Sequence, residues 1–201
     1  MPRLSNLYLF TYNFAQTIGW AVALIQILIG FSSTKSFNGA FASSGQIICI
    51  VPSGVLLPLM QWGGRSHYLL AIAGKIVELQ TSPSIFITFV AWSISEIIRY
   101  SNYALSCIGD CPYWSIYVRY TVFIPLYPVG VAGEMWLMYQ ALTYIKEKDL
   151  YKDFFSVLPF SYHTFVQVVL LCYPLLWMKL YLHLLKQRRS KLRKHHEKKR
   201  E

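Results

Sequence analysis

The chain has 201 residues, of which 55% are hydrophobic, 16% aromatic and only 14% charged, with a formal net charge of +10. Apolar runs this long exclude a soluble domain, whose helices alternate polar and apolar faces. The charge is concentrated: residues 186–201 hold nine Lys/Arg and two Glu, a net +7 that leaves +3 for the rest. A basic stretch directly after an apolar helix reads as an anchor against anionic headgroups, not as a nucleic-acid arm.

In chain order, the first predicted span covers residues 12–31. It is too long for a signal-peptide core and lacks a basic flank with a small-residue cleavage site. A polar loop at 32–38 leads to a second apolar region, 40–62, interrupted by Pro52 and Pro58. The third, 67–79, reaches about 20 Å as a helix, short of the ~30 Å of a bilayer core. Residues 84–100 and 114–142 form the fourth and fifth. The sixth, 155–185, is over-long and contains Pro159 and Pro174, which predict a kink or an interfacial start. The reading is an all-α, polytopic transmembrane bundle over residues 1–185, followed by a basic cytosolic tail at 186–201. The positive-inside rule sets that orientation. The ending Lys198-Lys199-Arg200-Glu201 matches a dilysine signal for retrieval to the endoplasmic reticulum.

The fifth span carries the chemistry. Arg119, Tyr127 and Glu134 lie within it, and Pro125, Pro128 and Gly130 predict a break in its middle. An ionisable residue at bilayer depth costs roughly 2.5–3.5 kcal/mol on insertion scales, so it marks function before structure. Glu134 has no cation within four positions. Tyr127 lies two turns away on about the same face, and helical side chains lean toward the N-terminus, bringing Glu134 back toward it. A carboxyl and a phenol facing one apolar cavity suit acid–base chemistry on a lipid-like substrate. Glu96 and Arg99, at i and i+3, predict an intrahelical ion pair. Gln61 and Arg65 sit one turn apart, and arginines at one membrane edge suit the phosphates of an anionic carrier.

Other chemistries are excluded. There is no Gly-x-Ser-x-Gly elbow and no Walker loop, and nothing has the spacing of a metal site. Neither Cys107 nor Cys111 is followed six positions on by arginine (Tyr113 and Tyr117 stand there), which excludes a thiol phosphatase. Those two cysteines read as a buried pair of thiols, with pairing in an oxidising lumen as the alternative.

Several stretches together resemble the very-long-chain (3R)-3-hydroxyacyl-CoA dehydratases, also called protein-tyrosine-phosphatase-like or PASTICCINO 2 proteins. They are Arg119-Tyr120-Thr121-x-Phe123, Leu126-Tyr127-Pro128-x-Gly130-x3-Glu134, Gln61-x3-Arg65 and Trp92-Ser93-x2-Glu96-x-Ile98-Arg99-Tyr100. Tyr8-Leu9-x2-Tyr12-Asn13 with Gly19-Trp20 adds to them, and the wording is nearest the plant PTPLA branch. The resemblance implies six spans in the endoplasmic reticulum membrane and a cytosolic C-terminus. It implies loss of water from a very-long-chain 3-hydroxyacyl-CoA to give the trans-2-enoyl-CoA, the third step of fatty-acid elongation. Partners would be the acyl-CoA, membrane lipid and other elongase subunits, with no nucleic acid, metal or other cofactor. Tyr127 and Glu134 fall on the catalytic pair, with the acid and base roles open between them. Arg119, Gly130, Arg99, Arg65 and Gln61 fall on binding or supporting positions. One stretch departs: where the family carries Leu-Glu-x2-His-x3-Gly, this chain runs from Gln46-Ile47-Ile48-Cys49 into Val51-Pro52-Ser53. Part of the second span is therefore absent. Five spans, and an inactive scaffold of the elongase complex, are the alternative expectations.

Overall fold

Long apolar stretches with few internal breakers dictate long helices. The computed structural model describes residues 4–35, 37, 41–42, 44, 63–109 and 111–198, and no strand occurs among them. The predicted second span at 40–62, with Gln61 and Cys49, lies almost wholly outside the described residues. Helix α1 is Leu4–Thr34, α2 Pro83–Ile108, α3 Tyr113–Glu147, α4 the single turn Lys152–Phe155, and α5 Tyr162–Lys198. Among the described residues, three helical segments are long and apolar enough to cross a membrane: Leu4–Ser33, Tyr113–Glu147 and Tyr162–Arg193. With a rise of about 1.5 Å per residue, the 26-residue α2 is about 39 Å long, yet it is the most polar inside. It buries Ser84, Thr88, Ser93, Glu96 and Asn102 between α1 and α3, while α1 and α5 turn Leu, Ile and Phe side chains outward.

Neighbouring helices run antiparallel. Tyr12 near the start of α1 meets Tyr100 near the end of α2 (ring centroids 6.5 Å apart), and Phe31 at its end meets Phe86 (4.9 Å). On α2 and α3, Asn102 Nδ2 donates to Ser115 Oγ (3.0 Å) at one end, and Ser82 Oγ donates to Gln140 Oε1 (2.8 Å) at the other. On α3 and α5, Phe123 and Tyr181 meet at 6.2 Å. The start of α1 and the end of α5 therefore lie toward the same end of the bundle. Helix α5 continues without interruption past residue 186 into the basic tail.

The third predicted segment is not one helix. Residues 63–66 are α-helical and pass into a π-helical stretch, His67–Ala73, which a turn at Gly74 ends, with Gly74 N–H donating to Leu69 O (2.7 Å). A 3-10 turn, Val77–Thr81, follows. Gln80 Nε2 donates to Ala73 O (2.9 Å) and Tyr151 Oη to Ala71 O (3.3 Å). The carbonyls at this irregular end thus find side-chain partners. Beyond it, the Lys148 ammonium donates to both Glu78 oxygens (2.6 and 2.8 Å) and holds that carboxyl below the usual carboxylate range.

Helix α3 is also continuous through Pro125 and Pro128, against the predicted break. Pro128 has no N–H to offer Ile124 O. The Tyr181 hydroxyl of α5 donates to that carbonyl instead (3.2 Å), as a neighbouring helix can do for a backbone group freed by proline. The sixth predicted segment, 155–185, is divided: Phe155 closes α4, Pro159 lies before α5, and Pro174 sits inside α5.

Glycine lets α2 and α3 approach. A Cβ at Gly133 would meet Thr88 Oγ1 at 2.5 Å and the Ser84 carbonyl at 3.2 Å, whereas one at Gly130 would meet only Ala91 Cβ at 3.4 Å. Small residues at such crossings allow close backbone packing in membranes. Gly133→Ala is expected to destabilise the bundle by about 1–3 kcal/mol, as overpacking does, and Gly130→Ala by clearly less. Thermal midpoints of the two variants in detergent check this; equal midpoints would contradict the close approach at Gly133.

Candidate active site

The close approach at Gly133 sets the next residue, Glu134, against α2. Its Oε1 accepts from Trp92 Nε1 at 2.7 Å, and its Oε2 accepts a very short hydrogen bond from the Tyr173 hydroxyl of α5. A single carboxylate on α3 is thus bridged to both neighbouring helices. Trp92 is 6% exposed, and its ring meets Tyr68 edge-on at 5.3 Å and Phe89 at 6.0 Å.

The other face of the Trp92 indole carries a cation. The Arg65 guanidinium lies 4.8 Å from the Trp92 ring centroid and 5.5 Å from that of Trp20. Arg65 Nη2 pairs with Glu96 Oε1 at 2.6 Å, and Arg99 Nη2 with Glu96 Oε2 at 2.5 Å. Glu96 is 2% exposed. The expected Glu96–Arg99 pair is therefore present, with Arg65 joining it from outside α2. Because Glu96 lies one turn from Trp92, this cluster abuts Glu134 through a single indole ring.

Tyr127 does not hydrogen-bond to Glu134; the donors to that carboxylate among the described residues are Trp92 and Tyr173. Its half-buried ring faces α5, packing against Trp177 (6.3 Å) and Tyr181 (6.2 Å) and lying within electrostatic reach of Glu134. Gly130 packs on Ala91, one turn from the carboxylate. Arg119 is elsewhere. Fifteen residues, about 22 Å along α3, separate it from Glu134. Its guanidinium donates to Asn102 Oδ1 (2.7 Å) and the Tyr103 hydroxyl (3.0 Å), clasping the α2–α3 turn. Cys107 and Cys111 are free thiols, as expected.

Sequence reasoning missed Tyr173, and treated Trp92 only as part of a likeness. A signal for Tyr173 existed: it is a lone phenol in the run Leu170-Leu171-Cys172-Tyr173-Pro174-Leu175, beside a helix-breaking proline. No group of three or more His, Cys, Asp or Glu side chains able to hold a metal occurs among the described residues.

These features define a multi-pass helical membrane protein with an acid–base-capable carboxylate where three helices meet. The family model described as protein tyrosine phosphatase-like protein, PTPLA, matches residues 45–194. The chain belongs to that family. It is 33% identical to the mouse very-long-chain (3R)-3-hydroxyacyl-CoA dehydratase 2, over 94% of this chain and 82% of the relative. Identity to mouse dehydratase 1 of the same description is 34%, over 94% and 74%. The dehydratase hpo-8 of Caenorhabditis elegans is 31% identical, over 71% and 73%. The match to mouse dehydratase 2 extends over 211 positions, more than the 201 residues of this chain, so at least ten positions of the relative have no counterpart here. No solved structure matches the chain.

Proposed function

We propose that the chain is a hydro-lyase that removes water from very-long-chain (3R)-3-hydroxyacyl-CoA to give the trans-2-enoyl-CoA. Family membership and the printed names of the relatives support that activity. The observation that carries it at the site is the Glu134 carboxylate, held by one donor on each oxygen inside the bundle. Removing a C2 proton from a thioester needs a fixed base within about 3 Å, and a carboxylate so held keeps lone pairs free for it.

In the assignment we favour, Glu134 takes the C2 proton. The C2–H electrons form the C2=C3 bond as the C3–O bond breaks, and the hydroxyl leaves as water with a proton from the Tyr127 phenol. Return of the proton from Glu134 to the phenolate resets the site. The reverse assignment, with Tyr127 as base, uses the same two residues. Gly130 keeps α3 close to α2 beside them. Arg65 and Arg99 act as supports through Glu96, and Arg119 through the α2–α3 turn. Gln61 we place with Arg65, on the resemblance alone. No redox step occurs, so the reaction calls for no electron-carrying cofactor.

Six spans, the count the resemblance implies, require the chain to cross twice between α1 and α2. Helix α1 ends and α2 begins at the same end of the bundle, which supports an even number of crossings between them and speaks against five. With the basic tail of α5 in the cytosol, the start of α1 faces the cytosol as well, in the endoplasmic reticulum membrane that the resemblance implies. Residues 1–185 would be the catalytic unit, acting as the third step of elongation beside other elongase subunits.

Purified chain in lipid nanodiscs, given a very-long-chain (3R)-3-hydroxyacyl-CoA, should form the trans-2-enoyl-CoA and leave the 3S isomer untouched. Absence of product from a folded protein that still retains elongation partners would favour the scaffold role.

A further inference from the structure

The site contains two groups that the proposed reaction does not yet use. Trp92 and Tyr173 come from different helices, lie 42 and 39 residues from Glu134, and each donates to a different oxygen of its carboxylate. We propose that Trp92 and Tyr173 are positioning residues that fix the plane of the Glu134 carboxylate and aim its remaining lone pairs at the substrate C2 hydrogen. The proposal rests on the dehydratase reading of this site.

A glutamate has three rotatable bonds, and its carboxylate samples several orientations unless something holds it. One hydrogen bond leaves it free to pivot about the bonded oxygen. Two donors on opposite oxygens, from helices on either side of α3, remove that freedom. Charge-assisted hydrogen bonds are the strong kind, and both occur where lipid and packed side chains exclude competing water. Each carboxylate oxygen offers two lone-pair sites, so two donors occupy two of four and leave the base able to accept a proton.

The donors are themselves held. The Trp92 ring lies beneath the Arg65 guanidinium, which the buried Glu96 fixes in turn, and Tyr68 and Phe89 close its other contacts. Tyr173 precedes Pro174, in a part of α5 that also packs Trp177 and Tyr181 on Tyr127. Both candidate reacting groups on α3 are therefore set by α5, and one of them also by α2. A supporting shell of this kind is what keeps a catalytic group within tenths of an ångström of its productive position.

The test compares Tyr173→Phe, Trp92→Phe and Trp92→His with wild type in nanodiscs, reading kcat and KM for a very-long-chain 3-hydroxyacyl-CoA together with thermal midpoints. Loss of either donor is expected to lower kcat about 10- to 100-fold while KM stays within about twofold. Trp92→His keeps an N–H donor in a smaller ring, so it should retain more kcat than Trp92→Phe. A role in packing alone gives the opposite order, because phenylalanine fills an apolar site better than histidine. Wild-type kcat in both Tyr173→Phe and Trp92→Phe, alongside an inactive Glu134→Gln, would overturn the positioning role and leave the dehydratase reading standing. A fully active Glu134→Gln would instead remove the reading on which it rests.

Discussion

Glu96→Ala is expected to cost the bundle about 3–5 kcal/mol, the loss that follows when one partner of a buried ion pair is removed. Glu96 is 2% exposed and pairs with Arg65 and Arg99 at once, at 2.6 and 2.5 Å. Without it, two guanidiniums remain among Trp20, Trp92 and Tyr100, where hydration is poor. The thermal midpoint in detergent and the yield of folded protein should both fall sharply. A triple variant, Arg65→Met, Glu96→Leu and Arg99→Met, removes the charges together and should recover most of the lost midpoint, since well-packed apolar residues replace buried pairs at little cost. It should not recover turnover, because Trp92 loses the cation that holds its ring. A Glu96→Ala midpoint equal to wild type would show that the three charges are solvated in place.

Much of this was visible along the chain because some signals are local. An unpaired carboxylate in an apolar run announces itself by its insertion cost, and so Glu134 stood out with no knowledge of its neighbours. The Glu96–Arg99 pair follows from i,i+3 spacing alone. What surrounds Glu134 depends instead on how helices cross. Trp92 comes within reach where Gly133 lets α3 settle against Thr88 and Ser84, a contact between positions more than forty residues apart, and Tyr173 comes from α5. The same limit explains two corrections. Pro128 predicted a break in α3, but the freed Ile124 carbonyl finds the Tyr181 hydroxyl, a partner from a helix that local sequence does not reveal. The third segment had the hydropathy of a short span, but Gly74 turns it, and its carbonyls are met by Gln80 and Tyr151 from elsewhere. Arg119 stands in a family-like stretch beside the candidate pair, about 22 Å of helix from Glu134. Its guanidinium meets Asn102 and Tyr103 at the α2–α3 turn, partners that local spacing does not reveal.

The positions that mouse dehydratase 2 has and this chain lacks bear directly on activity. At least ten positions of mouse dehydratase 2 have no counterpart in this chain, yet each described element that positions Glu134 is present: Gly133 on α3, Trp92 on α2 and Tyr173 on α5. Catalysis is therefore expected to survive the loss of those positions, with any effect falling on substrate binding and so on KM.

The largest functional effect should come from Glu134→Gln. The amide has nearly the same shape and can still accept from Trp92 through its carbonyl oxygen, so the helices should pack as before. It has no basicity with which to take the C2 proton. General acid–base groups contribute typically about 10²–10⁴-fold, and here the base is the step's principal chemical contribution. The direct measurement is the initial rate of trans-2-enoyl-CoA formation from a very-long-chain (3R)-3-hydroxyacyl-CoA by wild type and Glu134→Gln in identical nanodiscs. A fall in kcat of about 10³-fold at an unchanged thermal midpoint is the predicted result. Equal rates for the two proteins would contradict the assignment of proton removal to Glu134.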